Sequence, residues 1–553
     1  MQESPDDFGL PPSVALLLAR RGYTGASLLW FLNPGLEHLS RPDSIPGMRA
    51  AVNRIASAVR NGQRIMVHGD YDADGLTATA TAFRALCHLG AGTDFFIPDR
   101  FEDGYGLGDS SVDACARAGA DLIVTVDCGV SDAEHVRILR RNGVDVVITD
   151  HHQPGEEMPP AVAIVDPALE PGSPAGVLAG VGVAWMTMRG VYEELDAGTE
   201  YLDGLLQLVA LGTVADVVDL TGDNRILVSR GLGLLRESPF PGLEALARSA
   251  SVETGGLTSG DLAYYLGPRL NACGRMGRAD DAMALLLSED LREARVLAAT
   301  VEGHNRNRRK LDREVEGQVM GRAAELESPR CILMAGEGWH RGVIGIVASR
   351  IADRFGVPSL MISLEDGRGY GSARSVPGIP IHSILMDIQA RSGIMESIGG
   401  HPMAAGFRLP AERVGELEQE LRSEMEDGRW DPHLGSVLYV DGRLEPGDYC
   451  AATVRALDML EPFGEGNRRP VWLARGAYPL NWRTVGKDGS HLSCSFRIGS
   501  GTYRAIGFGM ADSQSLFGGR VDLAFTLSLD TWRNDGSIQL VLKGIRKHAG
   551  GRG

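Results

Sequence analysis

Lysine is nearly absent from this chain: Lys310, Lys487, Lys543 and Lys547 are the only four, so arginine carries almost all the positive charge. We read this as a bias of composition more than of function. Paired cysteines are missing too. The seven cysteines are odd in number, scattered and without a CxxC pair, which argues against a disulfide framework or a structural zinc site. No apolar run approaches the ~18 residues of a membrane-spanning helix. The N-terminus opens on Glu3, Asp6 and Asp7 where a signal peptide would be basic, so the expected compartment is the cytoplasm. A Walker A pattern is absent, which argues against a nucleotide-binding regulator, and there is no internal repeat or low-complexity tract.

What is present is an ordinary globular composition, 43% hydrophobic and 23% charged, over 553 residues. At roughly 100 to 200 residues per domain, that length predicts three or four domains. Glycine, at 72 residues, is about twice its usual ~7% share and announces tight turns and close backbone approaches. The net charge of -17 speaks against a nucleic-acid partner until its distribution is considered. From Ser436 to Gly553 there are 15 Lys and Arg against 11 Asp and Glu, a local +4 that leaves -21 elsewhere. An acidic body is also how a metal-carboxylate enzyme reads before its ions are added.

The pattern predicts a multidomain α/β protein. Residues 1–47 form a small N-terminal adaptor region with a helix over Val14 to Arg21. Over residues 48–240, β-branched runs at Ile65–His68, Asp94–Ile97, Leu122–Val126, Val144–Thr149 and Val162–Val165 alternate with helical stretches, which predicts βαβ units and a mostly parallel sheet. Residues 241–329 supply long linking helices, including the basic run HNRNRRK at His304–Lys310. A second α/β domain follows over 330–430, with glycine-rich turns expected at GSARSVPG (Gly371–Gly378) and GGHPMAAG (Gly399–Gly406). Short strands over 436–549 suggest a C-terminal β-barrel of OB type.

HGDYDADG, His68–Gly75, follows directly on an apolar strand. If the extended backbone continues, His68, Asp70, Asp72 and Asp74 share one face. Three carboxylates so close repel one another unless cations neutralise them, and hard oxygen donors suit Mg²⁺ or Mn²⁺. A bare acidic turn capping the next helix is the plainer explanation. Against it, two further strands end in Asp127 and in Asp150-His151-His152, and an apolar helical run ends in Asp216. Ligands of open parallel sheets gather beyond the carboxyl ends of the strands, so these groups are expected to meet.

HGDYDADG, VTVDCG, TDHH and GTVAD, in this order, resemble the four motifs of the DHH phosphoesterase superfamily. GPRLNACGRMGRA, GWHRGVIGIVASRI, GSARSVPG, GGHPMAAGF and EPFGEGNRRPVW narrow the likeness to the RecJ type of single-strand-specific exonuclease, over nearly the whole chain after Ala50. The resemblance implies a DHH domain, a DHHA1 domain and an OB-fold domain. It also implies two divalent ions, Mn²⁺ or Mg²⁺: Asp127 bridging both, Asp70 and Asp72 on one, and Asp74, His151 and Asp216 on the other. His152 would contact the scissile phosphate, Asp150 would orient an imidazole, and His68 would be a ligand or a supporting group. Arg100, Arg275, Ser372, Arg374 and His401 would line a pocket for a terminal 5′-phosphate.

The implied activity is 5′ to 3′ degradation of single-stranded DNA to mononucleotides in recombination and repair. The enzyme would be a monomer, with a single-strand-binding protein and a helicase as working partners. Aromatics and cations interleaved in the barrel (Trp482, Phe496, Tyr503, Phe508 and Trp532 among Arg483, Lys487, Arg497, Arg504 and Arg533) suit stacking on bases and tracking of phosphates. The rival reading is a DHH phosphodiesterase for short oligonucleotides or cyclic dinucleotides, which has no use for the barrel. A scaffold that kept the fold and lost the chemistry is disfavoured by the complete ligand set.

Overall fold

The computed structural model describes residues 9–548 except 171, 173, 427, 436, 488 and 531–534, so Trp532 and Arg533 lie outside the described residues. Two compact units emerge, one drawn from Met1–Pro268, Met283–Arg295 and Leu438–Gly553, the other from Arg269–Ala282 and Val296–Val437.

The first unit holds a five-stranded sheet of β1 (Arg64–His68), β2 (Gly92–Phe96), β3 (Leu122–Val126), β4 (Asp145–Thr149) and β5 (Ala163–Val165), in the order β2-β1-β3-β4-β5. Every pairing is parallel. The central strand β3, sequence LIVTV, is buried at all five positions, as a strand covered on both faces must be. The strand order turns back on itself at β1, where β2 goes to one side and β3 to the other. That reversal opens a crevice beyond the carboxyl ends of β1 and β3. The helices Ala73–His88, Gly180–Glu194 and Leu206–Ala215 pack on one another around it.

The same unit carries a closed barrel of β11 (Trp472–Val485), β12 (His491–Ile498), β13 (Gly501–Gly507), β14 (Val521–Leu529) and β15 (Ile538–Lys547), in the order β11-β12-β13-β15-β14. Its aromatics divide: Phe496 is fully buried, while Trp482 is 45% and Phe508 63% exposed. The N-terminal region packs on the barrel. Val14, Leu17, Leu18, Leu28 and Phe31 join one apolar core with Leu457, Trp472 and Phe525 of the barrel region, and Arg21 reaches Asp441 at 3.0 Å and Asn467 at 3.1 Å. Arg225, on the helix Gly222–Glu237, locks that assembly to the sheet domain. Its guanidinium donates to the carbonyls of Phe31 and Leu460 at 2.9 Å and lies 3.8 Å from the Phe31 ring.

The second unit is built on β6 (Ile332–Glu337), β7 (Ser359–Glu365), β8 (Arg368–Arg374), β9 (Ser397–His401) and β10 (Ala404–Pro410), ordered β6-β7-β8-β10-β9. The 33-residue helix Leu291–Ala323 packs Val315 and Val319 against Trp339 and Val343 within it. The expected glycine turns are narrower than their motifs, at Pro377–Gly378 in GSARSVPG and Pro402–Met403 in GGHPMAAG. Ser372 and Arg374 stand in β8, and GGHPMAAG is a β9–β10 hairpin with His401 at the end of β9. Glycine at 371 serves packing: a Cβ there would lie 2.1 Å from the ring of its cross-strand partner Phe407.

Candidate metal centre

The acidic motif changes period in its middle. β1 ends at His68, and the helix Ala73–His88 starts with Asp72 as its N-cap, whose carboxylate accepts from the N–H groups of Asp74 and Gly75 at 2.9 and 3.0 Å. The expected common face of His68, Asp70, Asp72 and Asp74 is therefore overturned: two of the four leave the strand for a helix cap and its first turn. His68 points into the core. Its Nε2 meets Ser111 Oγ at 2.9 Å and its Nδ1 meets Cys128 Sγ at 3.5 Å, and burial lowers it to about 4, so it is an uncharged packing group.

Asp127 follows β3 with φ of 62°, a left-handed backbone that costs a non-glycine residue roughly 1–2 kcal/mol. Its N–H donates to the Thr149 carbonyl at 3.0 Å, and its carbonyl accepts from the Tyr105 hydroxyl at 3.1 Å. Asp74 is held by the first two N–H groups of the helix Gly180–Glu194, Gly180 at 2.7 Å and Val181 at 3.0 Å. A helix N-terminus is a natural seat for a carboxylate. His151 Nε2 then lies 3.1 Å from Asp127, 3.6 Å from Asp216 and 3.9 Å from Asp74.

Three overlapping groups have donor atoms within 4.8 Å of one another: Asp70, Asp72 and Asp127; Asp74, His151 and Asp216; and Asp127, His151 and His152. Burial, followed by repulsion from neighbouring carboxylates, raises Asp70 and Asp127 well above the usual range, Asp74 to about 7 and Asp216 to about 9. Burial, reinforced by the charge of His152, lowers His151 to about 4. Among the described residues the buried Asp70 Oδ1, Asp127 Oδ1 and His151 Nε2 have no hydrogen-bond partner, although the last two lie 3.1 Å apart. Lone pairs directed at one another from an uncharged imidazole and crowded carboxylates fit a divalent cation.

His152 stands apart from its neighbour. Its Nδ1 meets Asp150 Oδ1 at 2.7 Å and the Tyr105 hydroxyl at 3.0 Å. Burial opposes its charge, but the Asp150 hydrogen bond and charge outweigh burial and raise it to about 9. Asp150 also accepts from the N–H groups of Val130 and His151 at 3.0 and 2.8 Å.

The candidate phosphate-binding residues fall in both units. Arg100 belongs to the first, with its guanidinium 5.2 Å from the Tyr71 ring. In the second, Arg275 donates to the Gly342 carbonyl at 3.1 Å. A Cβ on Gly345, one turn along the same helix Arg341–Phe355, would lie 2.9 Å from Ser372 Oγ and 3.3 Å from Arg374. Arg374, Ala404 and His401 occupy one row across β8, β10 and β9. Two contributors went unread in the sequence, Tyr105 and Gly180. Nothing in their local spacing marks either, because each acts on a residue tens of positions away.

The chain matches the DHH family, N-terminal domain, over residues 64–213, the DHHA1 domain over 328–427 and the RecJ OB domain over 440–544. Fold and site thus define a DHH-type phosphoesterase. The single-stranded-DNA-specific exonuclease RecJ of Escherichia coli is 36% identical over 561 residues, covering 97% of this chain and 96% of that one. Its Bacillus subtilis counterpart is 35% identical over 546 residues, covering 97% and 68%. The crystal structure of RecJ in complex with Mn²⁺ from Thermus thermophilus superposes with a TM-score of 0.85 at 32% identity, covering 98% of this chain and 76% of that one. The chain belongs to the RecJ family of single-stranded-DNA-specific exonucleases.

Proposed function

We propose that the protein removes mononucleotides from the 5′ end of single-stranded DNA by phosphodiester hydrolysis, in recombination and repair. The observation that carries this reading is the convergence of Asp74, Asp127, His151 and Asp216, from four separate segments, beside Asp70 and Asp72. Asp70, Asp72 and Asp127 would hold one divalent ion, and Asp74, His151 and Asp216 the other, with Asp127 shared. Mn²⁺ or Mg²⁺ bound there supplies Lewis acidity at the phosphate and lowers the pKa of a bound water.

The protein's own part is positioning and charge. His152, cationic at neutral pH through Asp150, offers a hydrogen bond to a phosphate oxygen as charge develops on it. Arg275, Ser372, Arg374 and His401 would receive the terminal 5′-phosphate and so fix polarity, and Arg100 is a further candidate for phosphate binding. The exposed Trp482 and Phe508 of the barrel offer stacking faces for bases, a service that a dinucleotide phosphodiesterase would not need. We take the parts to be an N-terminal region to residue 47, a DHH domain over 48–240, linking helices over 241–329, a DHHA1 domain over 330–430 and the OB fold over 436–549. Among the described residues no helix is long and apolar enough to cross a membrane; we assign the protein to the cytoplasm, as a monomer working with a single-strand-binding protein and a helicase.

One single-stranded DNA labelled at either end, with and without a 5′-phosphate, tests the reading. Early mononucleotide release from the phosphorylated 5′ end is expected. Release from the 3′ end, or cleavage confined to dinucleotides, would refute it.

A further inference from the structure

The Tyr105 hydroxyl touches two groups at once, the Asp127 carbonyl at 3.1 Å and His152 Nδ1 at 3.0 Å. A phenol has one proton to donate, and a carbonyl can only accept. The proton is therefore directed at Asp127, and the phenol oxygen faces His152 as an acceptor. Asp150, 2.7 Å from the same nitrogen, is an acceptor as well. With acceptors on both sides, Nδ1 must carry the hydrogen, and Nε2 is left as the outward-facing atom of the ring.

We infer that Tyr105 is a positioning residue that ties the His152 imidazole to the backbone of Asp127, an inference that rests on the nuclease reading above. The loop bearing Tyr105 is itself pinned. Asp132, in the turn after β3, accepts from the Leu107 N–H at 2.7 Å, and a Cβ on Gly106 would lie 2.4 Å from the same carboxylate. The Tyr105 ring, 48% exposed, stands edge-on to His152 with centroids 5.6 Å apart. Asp150 alone would engage the Nδ1 hydrogen and leave the ring free to swing about that one bond. The hydroxyl adds a second point of attachment, on a backbone already held by Thr149. The imidazole and the Asp127 carboxylate are thereby kept in register across the space where a phosphate would react.

The test uses the full-length protein and Tyr105→Phe, which keeps the ring and removes the hydroxyl. On 5′-phosphorylated single-stranded DNA with Mn²⁺, kcat is expected to fall about tenfold, the worth of one well-placed hydrogen bond, with KM unchanged. Nitrogen NMR of the metal-free wild type should show His152 protonated at Nδ1, and that hydrogen should exchange with water at least tenfold faster in Tyr105→Phe. An unprotonated Nδ1 in the wild type would overturn the inference without any variant. So would a raised KM at unchanged kcat, which would mark Tyr105 as a strand contact, or weaker Mn²⁺ binding by calorimetry, which would confine its role to Asp127. A wild type without nuclease activity would defeat the function reading alone, and the imidazole spectrum would still decide the anchoring.

Discussion

Gly180→Ala is the smallest change that should disable the centre while leaving the fold intact. A methyl group at 180 would sit 2.3 Å from Asp127 Oδ1, against an ordinary contact of at least 3.4 Å, so something must move by about 1 Å. Asp127 has little room, its backbone being held at N–H and carbonyl. If instead the helix Gly180–Glu194 retreats, it draws the Gly180 and Val181 N–H groups away from Asp74. Either way a proposed ligand is displaced by about 1 Å, a shift that typically costs about 100-fold in rate. Stability should fall by roughly 0–3 kcal/mol, because alanine gains up to about 1 kcal/mol of helix propensity against ~1–3 kcal/mol of overpacking. Calorimetric Mn²⁺ titration, kcat/KM on single-stranded DNA and a thermal melt would be read together. An alanine variant that melts, binds Mn²⁺ and turns over within about twofold of the wild type would refute the packing argument.

Two further outcomes are expected. Asp74 and Asp216 have folded pKa values raised to about 7 and about 9, and His152 is raised to about 9, so each contributes stability at low pH that is lost as pH climbs through those values. His151, lowered to about 4, acts oppositely but only below its ordinary 6.5. The metal-free protein should therefore lose melting temperature between about pH 6.5 and 9, and the stabilisation by saturating Mn²⁺ should grow across the same window, as parallel melts in chelator and in Mn²⁺ would show. Trp482→Ala and Phe508→Ala should each weaken binding of long single strands by ~1–3 kcal/mol at fixed salt while leaving dinucleotide cleavage unchanged, a contrast that fluorescence anisotropy and product chromatography would check.

The parts of the site legible in the sequence were those fixed by where a strand stops. Asp127 and the Asp150-His151-His152 run follow apolar β-branched stretches, and a parallel sheet brings such ends together whatever lies between them. Failures came where one segment changes conformation within a few residues. Alternation carried His68 to Asp74 along one face, but the Asp72 carboxylate prefers to cap a helix, and that preference turns the chain at Ala73. Glycine misled for a similar reason. GSARSVPG reads as a turn, but only its Pro377–Gly378 end is one; Gly371 lies in β8 and is small to admit Phe407 from the neighbouring strand, a contact invisible before the register is known. Tyr105 was out of reach altogether, because its partners lie 22 and 47 positions away and are joined by tertiary contact alone.

The marriage of Val14, Leu17 and Leu18 to the barrel has a consequence for how the protein is made. These residues are synthesised well before their partners between Leu444 and Leu542, which follow more than 400 positions later. At ~5–20 residues per second an apolar helical face is unaccompanied for roughly 20 to 90 seconds of synthesis, a natural target for a chaperone that greets nascent chains.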